Sequence, residues 1–370
     1  MKRVTARKGF IMITTLIVIS LIVVLIGYLI NRSSSYVPYI KTMIDHEKAK
    51  ELALGGIQMA ISQLAYADVV DEKNADDKDK KTPSQPQNKQ DQDAQLQQTQ
   101  PPQKPQDKGS AHAKQFLKTL LPILNTWQTF KLDPVKDGIE GEIKICIMSE
   151  DGKINLNELY DFSKHTFVVK GLEEFLNKIK KIGEGPSAFE GIRGNFKERD
   201  SRLRDVTELI TIKAFESFKL RIFYDENAVT KSGKEGAPLY LTDIFTIWST
   251  QRGIDPWLIS PSISAMLGLE KEKDKKSFAE SALKSFKVSY SWPADWNTIF
   301  AKLYKKDFAS LPKDIQGLLR TSFGPETFSV LSYGKVGDIT HRLFAILVHD
   351  TTDRQEKGPA KVHIKKLYRM

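Results

Sequence analysis

Residues 10–30 of this 370-residue chain read FIMITTLIVISLIVVLIGYLI, without a single charge, and a basic leader, MKRVTARKG, stands directly before them. An apolar run of this length spans the hydrocarbon core of a bilayer as a helix. Lys2, Arg3, Arg7 and Lys8 place positive charge ahead of the run, so the leader is predicted to stay cytoplasmic and the rest of the chain to be exported. The lone cysteine, Cys146, leaves the exported part to be held by its core rather than by a disulfide, and it excludes a lipoprotein signal. The net charge of +10 with 28% charged residues suits solubility beside a membrane. No Lys/Arg cluster with interleaved aromatics stands out, which argues against nucleic acid as a partner.

Three readings of the anchor compete. A cleaved secretory signal has a shorter apolar core and a small-residue cleavage site, whereas residues 31–35 are Asn-Arg-Ser-Ser-Ser. A plain uncleaved anchor needs only the apolar run. The third reading rests on Gly9-Phe10: a short basic leader ending in Gly, then an aromatic first residue, resembles the type IV pilin-like signal that a prepilin peptidase cuts on the cytoplasmic side. Phe10 would then begin the mature chain. Most proteins with that signal carry Glu at the fifth mature position, where this chain has Thr14. A carboxylate at such depth is costly in lipid, and in those proteins it can pair with a neighbouring subunit's amino terminus.

Apolar positions continue at helical spacing through Val37, Ile40, Ile44, Leu52, Ile57, Ile61 and Leu64, predicting one rod from residue 10 to about residue 66, about 85 Å long. Pro38 is expected to kink it outside the bilayer. Ala49, Ala53, Gly55, Gly56 and Ala60 form a small-residue stripe that suits packing against other helices. Residues 67–111 are rich in Gln, Asp, Lys and Pro and nearly devoid of apolar side chains; such a segment cannot offset its ordering entropy by burial and reads as a disordered linker.

The globular part follows. Residues 113–127 read as a helix and residues 141–148 as a strand, with Ile143, Ile145 and Ile147 alternating against Glu142, Lys144 and Cys146. A polar turn comes next, Glu150-Asp151-Gly152-Lys153, in which Gly152 is expected to supply a positive φ. In Ile154-Asn155-Leu156-Asn157 the two apolar residues can face a core and the two asparagines can tie loop backbone, with Asn157 suited to cap a helix from Glu158.

The anchor and this turn together resemble the minor pseudopilin K family of bacterial type II secretion. The residues that carry the resemblance are Gly9-Phe10, Thr14 in place of the glutamate that this branch lacks, and Asp151-Gly152-Lys153 leading into Ile154, Asn155, Leu156 and Asn157. Weaker echoes are Arg204-Asp205-Val206-Thr207-Glu208-Leu209 and residues 239–269, with Ile254 and Leu258. The resemblance implies cleavage after Gly9, N-methylation of Phe10, partner minor pseudopilins at the tip of a periplasmic pseudopilus, an inner-membrane assembly platform and, in some members, calcium. The chain departs from the family in lacking an acidic cluster between residues 159 and 202, which instead hold Lys178, Lys180, Lys181 and a Gly-rich loop over 183–194.

Residues 159–325 read as a mostly helical insertion, with Asp255-Pro256 and Ser260-Pro261 as helix starts and further helices over 239–269, 296–306 and 313–323, the last two led by Pro293 and Pro312. Residues 326–370 switch to period two, predicting strands over 327–333, 339–348 and 361–368, with a turn over 334–337 and a loop over 350–359. The expected fold is α+β: a long membrane and stalk helix (10–66, after the leader 1–9) packed on a small antiparallel sheet built from 112–158 and 326–370, with a helical domain inserted. No phosphate loop or zinc helix is present, Cys146 sits on a predicted strand, and His165, His341, His349 and His363 lack ligand spacing; no catalytic residue and no cofactor is expected. The competing assignment is a bitopic envelope protein whose uncleaved anchor presents an exported binding or hydrolase domain.

Overall fold

The computed structural model describes residues 4–67, 108–169, 171–177, 188–199, 201–225, 238–269, 275–287, 294–350 and 359–370. The expected linker, apart from its ends, the residues 178–187, Pro293 and the loop 351–358 lie outside them.

The chain is α+β. Helix α1 (Val4–Tyr66) is continuous through Pro38, and α2 (Lys108–Leu120) leads into the first strand. The long strands are β1 (Trp127–Leu132), β2 (Gly141–Ser149), β7 (Thr327–Val336), β8 (Ile339–Asp350) and β9 (Lys361–Arg369). They form one antiparallel sheet in the order β1-β2-β7-β8-β9. Between β2 and β7 lies the insertion. It holds two small strand pairs, the parallel β3 (Ile154–Asn155) with β6 (Phe245–Thr246) and the antiparallel β4 (Tyr160–Asp161) with β5 (Thr166–Phe167).

Period two divides the sheet into two faces. On one face Ile143, Ile145 and Ile147 of β2, Phe328 and Val330 of β7, and Leu343, Ala345 and Leu347 of β8 pack under α1. On the other, Cys146, Met148, Leu331, Tyr333, Phe344 and Ile346 form a separate cluster. Trp127 covers it, as do Phe223, Tyr224 and Trp248 from the insertion. The sheet is thus sandwiched between the stalk and the aromatic side chains of the insertion.

The small-residue stripe of α1 does not wait for other helices. Ala49, Ala53, Gly56 and Ala60 are buried against the sheet of the same chain. The reason is close approach: a Cβ on Gly334 would lie 2.1 Å from the Ala49 carbonyl oxygen and 2.5 Å from the Ala53 nitrogen. Gly334 is therefore a strand residue that admits the helix backbone, and the β7–β8 turn begins later, at Gly337 with φ +56. The Ser332 hydroxyl donates to the Ala53 carbonyl at 2.7 Å, and Gln63 and Gln128 exchange amide hydrogen bonds at 2.9 and 3.1 Å.

Other expectations need correction. The helix over 113–127 stops at Leu120, because Pro122 lacks a donor N–H and Asn125 takes φ 55; Trp127 opens β1 instead. Gly191 and Gly194 belong to a helix, Ala188–Lys197, not to a loop. Within 239–269 only Leu241–Ile244 and Pro261–Leu267 are helical. Ser260 caps the second of these, accepting from the Ile263 N–H at 3.3 Å, whereas Asp255-Pro256 makes a turn. The helix led by Pro312 is only Lys313–Gln316. The insertion is helical in short pieces, including Gly171–Asn177, Lys275–Lys284 and Ala294–Tyr304.

Candidate functional site

Two places gather the residues singled out by sequence, one in the anchor and one at the root of the insertion. Gly9, Phe10 and Thr14 all lie in α1. Phe10–Tyr66 is long and apolar enough to cross a membrane, and its apolar side chains over 10–30 are exposed along the whole run, from Phe10 at 69% to Ile30 at 63%. An unpaired hydroxyl is costly in lipid. Thr14 avoids this by bonding back to its own helix, donating toward the Phe10 and Ile11 carbonyls at 3.0 and 2.9 Å, and Thr15 does the same with Ile11 and Met12. A carboxylate in place of Thr14 would have no such intrahelical solution.

The second place begins where β2 ends. Ser149 caps the single turn Glu150–Gly152, and every residue from 149 to 157 is buried. Gly152 does not supply a positive φ. Its Cβ position is filled: an added methyl would lie 1.8 Å from the Leu258 carbonyl oxygen, because the Ser260 N–H donates to the Gly152 carbonyl at 3.2 Å and the Asp255 N–H to the Asp151 carbonyl at 2.7 Å. Ile154 and Leu156 enter the core. The cap role falls to Asn155, whose side chain accepts from the Asn157 N–H at 3.1 Å while its amide donates to the Ser249 carbonyl. Asn157 instead clamps Leu203 from both sides, donating to its carbonyl at 2.9 Å and accepting from its N–H at 2.9 Å.

Around this turn, sequence reasoning missed a buried charge cluster. The Arg320 guanidinium bonds Asp255 at 2.7 Å and lies 3.7 Å from Asp151. Asp151 also accepts from the Ser249 hydroxyl at 2.7 Å and from the Glu326 N–H at 3.1 Å, and Asp255 accepts from the Trp257 N–H at 2.9 Å. Beside it, Lys153 pairs with Glu150 and donates to the Ser329 hydroxyl at 3.0 Å, and Thr246 donates to Glu150. Burial pushes the Asp255 carboxyl up to about 6 and the Asp151 carboxyl upward, with Arg320 pulling both the other way. Nothing in the sequence marks Arg320 as the partner of an aspartate on a distant loop.

The cluster joins what chain order separates: the end of β2, the loop over 249–257 and the residues leading into β7. It is a buried root of the insertion. Calcium takes six to eight oxygen ligands, and here the carboxylates are engaged by Arg320, Lys153, hydroxyls and backbone N–H groups, so this donor set does not fit the ion. Among the described residues no group of three or more His, Cys, Asp or Glu could hold a metal. Cys146 is buried in the second face cluster.

No protein-family model matches the chain, and no curated protein matches it. Among solved structures it is similar to a chain of the GspK–GspI–GspJ complex of the type 2 secretion system from enterotoxigenic Escherichia coli. The identity is 13%, the TM-score 0.37, and the match covers 71% of this chain and 94% of that one. A likeness that distant does not bear on function.

Proposed function

We propose that this chain is a minor pseudopilin of a type II secretion system. It would be held in the bacterial inner membrane by residues 10–30, cleaved after Gly9 and N-methylated on Phe10. Its role is assembly, not catalysis: with partner minor pseudopilins it forms or caps the tip of the periplasmic pseudopilus. The observation that carries this reading is the form of α1. One helix runs from an uncovered apolar stretch, preceded by the basic leader that ends at Gly9, straight into a stalk whose far half is the central packing element of an antiparallel sheet. A plain anchor needs neither the leader nor this continuity.

Thr14 supports a place at the tip. Its hydroxyl is satisfied within its own helix and carries no charge to neutralise the buried amine of a subunit ahead, so the chain fits where no subunit lies ahead. The insertion adds bulk to the head on the sheet face opposite the stalk.

The test is the intact mass and N-terminal sequence of the protein extracted from membranes of cells with an active prepilin peptidase. The expected chain begins at N-methyl-Phe10, and Gly9→Val abolishes the processing. A wild-type chain that still carries residues 1–9 overturns the pseudopilin reading and leaves a bitopic anchored protein.

A further inference from the structure

The root of the insertion is electrically unbalanced. Asp151 and Asp255 are 1% and 0% exposed and share one cation, Arg320, itself 9% exposed; the adjacent Glu150 and Lys153 cancel each other. With all carboxylates ionised the cluster holds one uncompensated negative charge away from water, a state that burial strongly disfavours. One bound proton removes it. Four backbone hydrogen bonds close around these side chains: Ile254 N–H to the Leu318 carbonyl at 2.7 Å, Arg320 N–H to Ile254 at 3.0 Å, Asp255 N–H to Asp151 at 2.7 Å and Ser260 N–H to Gly152 at 3.2 Å. They tie together the start, the middle and the end of the insertion.

We infer that this root is a proton-sensitive joint: a single proton shared by the Asp151–Arg320–Asp255 cluster locks the insertion onto the sheet, and its loss loosens the connection. Other titratable groups stand around the cluster, among them the buried Asp243, which accepts from the Ser262 N–H at 2.6 Å and is outside the Asp151–Arg320–Asp255 set. The Tyr304 hydroxyl donates to the Pro256 carbonyl at 2.5 Å and burial raises its ionisation far above neutral. Glu326 is half-buried, accepting from the Thr250 hydroxyl at 3.1 Å. His349 on β8 is tied to the Glu326 carbonyl by its backbone N–H at 2.8 Å and is 2% exposed.

The sign follows from linkage. A carboxyl held at about 6 in the folded protein, above its ordinary value near 3.9, binds a proton more tightly folded than unfolded. Its contribution is therefore fully present at the acid end, falls as pH rises toward 6 and is gone above it. Native-state hydrogen exchange of the full chain in detergent micelles, corrected for intrinsic exchange rates, reads this directly. Protection of the Ile254, Asp255, Ser260 and Arg320 amides should be about tenfold lower at pH 8 than at pH 5, with the central β8 amides as an unmoved reference. Asp255→Asn should flatten the slope, while Glu326→Gln should keep it. Protection at the root that is flat or rises with pH in the wild-type chain overturns the inference, whether or not the Asp255→Asn chain folds. A slope that survives in a folded Asp255→Asn chain overturns it as well.

Discussion

Gly152 and Gly194 show how differently one residue type is used. At Gly152 the carbonyl group of Leu258 occupies the volume of a side chain, with its oxygen at 1.8 Å and its carbon at 2.5 Å from the point where a Cβ would stand. Both obstacles are backbone, so Gly152→Ala must move one chain segment away from the other. A loss of about 2–3 kcal/mol follows, read as a lower urea midpoint at unchanged slope. At Gly194, inside the helix Ala188–Lys197, nothing lies within 4 Å, and Gly194→Ala should leave stability equal or raise it by about 0.5–1 kcal/mol. Equal effects at the two positions would refute this assignment. Asp151-Gly152 was legible in sequence as an acidic turn; that its glycine serves close approach rather than φ was not, because the obstructing Leu258 is remote in sequence. The same holds for Asn155 and Asn157, whose polar ties were foreseeable but whose division of labour depends on Ser249 and Leu203.

Among the elements, the 3-10 helix Val206–Thr211 has a strong start. Asp205 accepts from the Thr207 N–H at 2.9 Å, and Glu208 reaches back to the Asp205 N–H at 2.9 Å, completing a capping box. Asp205 also accepts from the Tyr368 hydroxyl on β9 at 2.6 Å, fastening the insertion to the last strand. Asp205→Ala removes cap and latch and should cost about 2 kcal/mol, whereas Tyr368→Phe removes only the latch, about 1 kcal/mol. Thermal unfolding of the two variants and of the double variant checks this: because both act through one carboxylate, their effects should not add. Strands β2, β7, β8 and β9 were legible from alternation. Strand β1 was not, although Pro122 was a signal that the preceding helix had to end, and the β3–β6 pair, two residues each, is too short to leave a period.

At the scale of the molecule, α1 has two halves with separate physics. Its large apolar residues from Phe10 to Ile44 are exposed, whereas Ala49, Leu52, Ala53, Ile57, Ala60 and Leu64 are buried on the sheet. A chain beginning at residue 45 should therefore be soluble and keep the urea midpoint of the full chain. A chain beginning at residue 68 should collapse or aggregate, since Ile143, Ile145, Leu343 and Leu347 lose their cover; sedimentation and circular dichroism separate the two, and a folded monomer from residue 68 onward would contradict this division of the helix. The sequence by itself determined the membrane-length run, the stalk, the strand periodicity and the α+β class, because each rests on local spacing of apolar side chains. The tertiary structure alone decided that the small-residue stripe faces the chain's own sheet, that Gly334 admits the helix, and that Arg320 serves Asp151 and Asp255 at once. Those facts depend on which distant segments meet, and no local pattern records the charge or the backbone that arrives from elsewhere in the chain.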